Sequence, residues 1–123
     1  MKRVLLVEDN ADNREVIRTI LTHYGYEVIE AHNGEDGVEL AQSARPDIIL
    51  MDLSLPKIDG WEAASRIKSK AELKRIPIIA ITAHAMSGDE QKALEKGCDG
   101  YLAKPCTPKS VVELVEKYLK DRE

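Results

Sequence analysis

No apolar run in this 123-residue chain approaches the ~20 residues that a membrane-spanning helix needs. The first residues, Met1-Lys2-Arg3-Val4-Leu5-Leu6-Val7, meet Glu8 and Asp9 too soon for a secretory signal. Membrane insertion is therefore not expected, and the expected location is cytoplasmic. A basic surplus is also missing. The net charge is −4, and Lys and Arg are scattered except for a small cluster at Lys70, Lys74 and Arg75, which disfavours direct nucleic-acid binding. Cys98 and Cys106 have no His or Cys partner at zinc spacing, so reduced thiols are expected. Linkers, repeats and low-complexity stretches are absent as well, and one domain over 1–123 with no effector domain is expected.

What is present is enough apolar residue, 43%, for a single core, arranged in short runs that alternate with amphipathic stretches. Lys2 to Val7 predicts a strand ending at Glu8-Asp9-Asn10. Val16, Ile17, Ile20, Leu21 and Tyr24 are spaced for one helix face, and Gly25 stands where a left-handed cap belongs. Tyr26 to Glu30 reads as a more exposed strand. Asn33-Gly34 opens a helix with Val38, Leu40 and Ala41 that stops before Pro46. A strand through Ile48, Ile49, Leu50 and Met51 follows, then a helix carrying Trp61, Ala64 and Ile67, then a strand from Ile78 ending at Thr82. Ser87 and Glu90 have capping-box spacing for a helix to Lys96 with a thin apolar stripe. A short strand from Gly100 to Ala103 ends at Lys104-Pro105, and Val111, Leu114, Val115, Tyr118 and Leu119 mark the last helix.

This alternation predicts an α/β fold: a doubly wound, flavodoxin-like (βα)5 unit with a five-stranded parallel sheet in the order 2-1-3-4-5. The stretch DIILMDLSLPKIDG, Asp47 to Gly60, is its centre. Its four apolar residues are too uniform for a half-exposed strand, so they read as a strand covered on both faces that delivers Asp52 to its carboxyl end. Ligands bind at that edge in open α/β sheets. Asp52 as a plain helix cap is the bland alternative, and Leu53-Ser54-Leu55-Pro56 argues against it by keeping the backbone extended or turning.

In this topology Glu8-Asp9, Asp52, Thr82 and Lys104 all reach one edge. Three carboxylates together repel, so the cluster needs a cation, and an all-oxygen set suits Mg²⁺. Lys104 can supply a fixed positive charge and Thr82 a hydroxyl donor to phosphoryl oxygens, which leaves Asp52 as a nucleophile forming an aspartyl phosphate. Met singly, each of these residues has a duller role as a loop acid, a strand-end hydroxyl or a surface lysine. Jointly, those roles require a coincidence.

The motifs LLVEDN (Leu5 to Asn10), DIILMDLSLPKIDG, ITAHA from Ile81 and GCDGYLAKP ending at Pro105 resemble those of response-regulator receiver domains, and closely the stand-alone CheY and DivK types, over the whole length. The resemblance implies a bacterial two-component phosphorelay. Asp52 would accept phosphoryl from a histidine kinase or histidine phosphotransfer protein. Asp9, Asp52 and the Ser54 carbonyl would bind Mg²⁺, with Glu8 assisting through water. Thr82 and Tyr101 match the family's switch pair, Lys104 its phosphate lysine, and the Lys104-Pro105 bond is cis in the family. Ser54 and His84 fall at positions that tune phosphoryl lifetime.

The implied chemistry is the protein's own phosphorylation and dephosphorylation, not turnover of a separate substrate. Output would pass to a protein target through the face made by the helix from Ser87 to Lys96, the strand around Tyr101 and the helix from Pro108 onward. Three rivals fit less well. A flavodoxin-like phosphate-cofactor binder would suffer repulsion from Glu8-Asp9. An aspartyl-phosphate phosphatase would want an acid where Ser54 stands. An unphosphorylated interaction module should have lost one of Asp9, Asp52, Thr82 or Lys104.

Overall fold

A computed structural model describes the backbone of residues 2–52, 60–82, 98–103 and 108–122. Five strands, β1 (Arg3–Val7), β2 (Glu27–Ala31), β3 (Ile48–Asp52), β4 (Ile78–Thr82) and β5 (Gly100–Ala103), form one parallel sheet in the order β2-β1-β3-β4-β5. This is the expected arrangement. Helices α1 (Ala11–His23), α2 (Gly34–Ala44) and α3 (Gly60–Lys68), a 3-10 turn (Ala71–Leu73) and a C-terminal helix (Pro108–Arg122) complete the described elements. The expected helix from Ser87 to Lys96 lies outside the described residues.

Strand residues split by parity, as a period of two requires. Leu5, Val7, Ile49, Met51, Ile78 and Ala80 pack with Ala41 of α2 and with Ala63, Ala64 and Ile67 of α3. Val4, Leu6, Ile48, Leu50, Ile79 and Ile81 pack instead with Ile17 and Leu21 of α1 and with Val111, Val115 and Leu119 of the C-terminal helix. Every residue of β3 is buried, which explains why its sequence shows no polar alternation. The burden falls on Asp52, a carboxylate carried into that environment.

Two residues depart from the expected α1 stripe. Ile17 and Leu21 are buried, whereas Val16 is 58% exposed and Tyr24 54%. Val16 lies about 100° around the helix from Ile17, beyond the contact line, and Tyr24 is the C-cap, where the chain leaves the helix. Gly25 then takes the left-handed conformation, φ 90, as its position predicted. Arg45 ends α2 in the same region at φ 46, which no composition cue marks. Pro46 disfavours the right-handed helical conformation in the residue before it, which stops α2 at this point. At Gly37 a Cβ would sit 2.9 Å from Val7 Cγ2, so only glycine lets α2 approach β1 this closely, one residue before Glu8.

At the opposite edge, the Lys68 ammonium donates to the carbonyls of Lys74 (3.0 Å) and Ile76 (2.8 Å) and pairs with Asp99 Oδ2 at 2.8 Å. Asp99 Oδ2 also accepts from the Ile78 N–H at 2.9 Å. One half-buried cation thus ties the end of α3 to the entries of β4 and β5. Next to this network the Cys98 thiol is buried, and burial, with the Asp99 charge adding, pushes its pKa up to about 12. Cys98 therefore favours folding fully below the ordinary value near 9, and the contribution drains away as pH rises from there toward 12. The expected outcome is that an alkylating reagent modifies Cys98 at pH 8 only at the rate of global opening, followed by peptide mass mapping. Labelling much faster than amide exchange of β4 would contradict it.

Candidate functional site

β1 and β3 run side by side in register, Val7 opposite Met51, so the residue after each strand pair emerges at the same edge. Glu8 follows β1 directly and its N–H donates to the Ala31 carbonyl at the end of β2 at 3.1 Å, which extends the ladder one step and fixes where the acidic pair begins. Asn10 then caps α1, its side chain accepting from the Asn13 N–H at 2.9 Å. Asp9 is caught between these two anchors. Asp52 is the last residue of β3 and is held from the other side by pairing with Ile81 of β4.

The result is a compact carboxylate group. Glu8 is 2% exposed and Asp52 5%, Asp9 is exposed, and one oxygen from each lies within 4.8 Å of the others. At such separations like charges cost several kcal/mol at an effective dielectric of about 20, more than surface pairs in water. Burial of Glu8 and Asp52 removes solvent from between those two, whereas the exposed Asp9 keeps its solvent screening. A hard cation is the group that these residues fit: three oxygen donors, no sulfur or imidazole, one open side toward solvent at Asp9. The same donors would reject a soft metal.

The other candidates divide by where they fall. Thr82 is the last residue of β4, one beyond the Asp52–Ile81 pair, so its backbone reaches the same edge as Asp52. Tyr101 is in β5, paired with Ala80 and so further back from that edge. Ser54, His84, Lys104 and Pro105 lie outside the described residues, and with them the Lys104-Pro105 peptide bond. His23 and His32 are exposed, away from the carboxylates in sequence and without an assigned role.

One residue of this edge carries no motif and was missed. Arg14, half-buried in the first turns of α1, sends Nη1 back to the carbonyl oxygens of Glu8 at 2.9 Å and Asp9 at 3.0 Å. The available signal was geometric: helical side chains lean toward the N-terminus, so a long cation one turn into a helix reaches the loop before it.

Comparison with known proteins agrees with this layout. Residues 4–116 match the family model described as the response regulator receiver domain. The polar-differentiation response regulator DivK of Brucella anthropi is 42% identical over 120 residues, covering 98% of each chain. The receiver domain of a sensor histidine kinase of Pseudomonas aeruginosa, solved with a magnesium ion coordinated in its active-site cleft, superposes with a TM-score of 0.91 at 38% identity over 97% of this chain and 98% of that one. A response regulator from Chloroflexus aurantiacus superposes with a TM-score of 0.92 at 31% identity, over 97% and 98%. No helix among the described residues is long and apolar enough to cross a membrane.

Proposed function

Because the chain belongs to the response-regulator receiver family of two-component signalling, we propose that it is a cytoplasmic phosphoryl acceptor whose output is a change in protein contacts. Asp52 is the acceptor. Its carboxylate oxygen attacks the phosphorus of a phosphohistidine on a histidine kinase or histidine phosphotransfer protein. The new P–O bond forms as the P–N bond breaks, and the imidazole leaves with the electron pair. Later attack of water on the acyl phosphate resets the protein.

Glu8, Asp9 and Asp52, with the Ser54 carbonyl, are the residues that would hold Mg²⁺. When bound, the ion supplies positive charge against the carboxylates and the incoming phosphoryl oxygens. The Lys104 ammonium and the Thr82 hydroxyl are assigned to the remaining phosphoryl oxygens. Thr82 then reports to Tyr101. Their joint movement would alter the face made by residues 87–96, β5 and the C-terminal helix, where a downstream protein docks, with a coupling of about 1–3 kcal/mol.

The observation that carries this reading is the burial of Asp52 within 4.8 Å of two further carboxylates at the carboxyl edge of a parallel sheet. A cluster that unfavourable needs a function. The magnesium in the Pseudomonas receiver supports the choice of ion. The test is incubation with acetyl phosphate, which needs no kinase. One phosphoryl mass should appear on the intact protein with Mg²⁺ present and fail to appear when the metal is chelated. Equal incorporation with and without chelator would refute the metal-assisted site.

A further inference from the structure

The geometry points to Arg14 as a positioning residue for the acidic loop, an inference that rests on the metal reading of Glu8, Asp9 and Asp52. Its Nη1 donates at once to the Glu8 carbonyl (2.9 Å) and the Asp9 carbonyl (3.0 Å). Those two carbonyls belong to the peptide planes on either side of the Asp9 Cα, so a single guanidinium nitrogen restrains both backbone torsions of Asp9. The other two carboxylates have separate supports. Glu8 is buried and its N–H is bonded to Ala31, and Asp52 is buried at the end of a paired strand. Asp9 is exposed and has its flanking peptides held by Arg14.

The clamp has a second consequence. Among the described residues, the Arg14 hydrogen bonds go to carbonyl oxygens and not to the carboxylates, so positive charge is brought beside the acidic cluster without Arg14 itself occupying a carboxylate oxygen. A planar guanidinium suits this task because its nitrogens are fixed relative to one another, whereas an ammonium is a point donor on a flexible stem. Arg18, one turn further along α1, provides a matched comparison. It bonds the Glu30 carboxylate at 3.2 Å and not the loop.

The experiment is calorimetric titration of Mg²⁺ into the wild type, Arg14→Gln, Arg14→Lys and Arg18→Gln, with melting temperatures measured in chelator. Arg14→Gln should weaken Mg²⁺ binding by roughly ten-fold, the low end of what loss of a residue supporting a metal ligand costs. Arg14→Lys should fall between Arg14→Gln and wild type, and Arg18→Gln should bind as wild type. The two Gln variants should melt alike without metal, so a merely structural effect would not reproduce the split. Wild-type affinity in Arg14→Gln, or an equal loss in Arg18→Gln, overturns the proposal while leaving the metal site standing. If Arg14→Gln does not fold, Arg14→Lys decides: weaker binding supports the clamp and unchanged binding overturns it. A wild type without saturable Mg²⁺ binding defeats the metal reading, and the clamp with it.

Discussion

Asp52→Asn is expected to reduce phosphoryl incorporation from acetyl phosphate by roughly 10³-fold or more, the scale on which loss of a nucleophile acts in group-transfer sites. The amide keeps the shape of the carboxylate but has no charged oxygen to form the acyl phosphate. Shape matters because Asp52 is 5% exposed at the end of a strand buried along its whole length, and a smaller residue would leave a void. Removal of its charge relieves repulsion from Glu8 and Asp9, so in chelator the variant should fold and melt no lower than wild type. The neighbouring carboxylates are poor substitutes. Glu8 is still more deeply buried, and Asp9 is on the loop before α1, so neither occupies the end of β3 where Thr82 and Asp52 share an edge. Metal-dependent incorporation that persists on another residue of the Asp52→Asn protein would reassign the acceptor.

Asp9→Asn should show effects of opposite sign with and without Mg²⁺. In chelator the variant loses one of three mutually repelling charges and should be the more stable protein. The gain is about 1 kcal/mol or less, because Asp9 is exposed and solvent screens it. With Mg²⁺ in excess the order should reverse. The wild type gains stability as the logarithm of free Mg²⁺ over its dissociation constant, whereas the variant has lost a ligand whose removal weakens binding by about 100-fold or more. Melting curves of the two proteins across a Mg²⁺ series should therefore cross. Parallel curves would mean that Asp9 is not a ligand.

The extent to which this site could be read from sequence depends on how far apart its cues lie. Ile48 to Met51 announces a strand buried on both faces because no polar residue interrupts it, and once that strand is placed, Asp52 must end it. Glu8 and Asp9 follow the same logic at β1. Sheet order comes from the handedness of crossovers and needs no side-chain detail. The exposure of Val16 is not marked in the sequence, since a helix stripe drawn from spacing alone has no defined edge until its partner is known. The contacts of Arg14 and Lys68 are not marked there either. Apart from the Lys68–Asp99 pair, both bond backbone carbonyls, which every residue possesses, so these partners leave no trace in residue type. In Lys68 the acceptors come from positions 74, 76 and 99, which only the folded sheet brings together.

If Asp52 becomes an acyl phosphate, borohydride trapping detects it at the atom concerned. Hydride reduces an aspartyl phosphate to the alcohol, which leaves homoserine where the phosphorylated aspartate stood and does not touch free carboxylates. Wild type treated with acetyl phosphate and Mg²⁺, then borohydride, then digested, should yield homoserine at position 52 and nowhere else, and chelator should abolish it. Homoserine at position 9, a phosphoryl group that survives borohydride at a hydroxyl or imidazole, or conversion that is indifferent to chelator would contradict metal-assisted phosphorylation of Asp52.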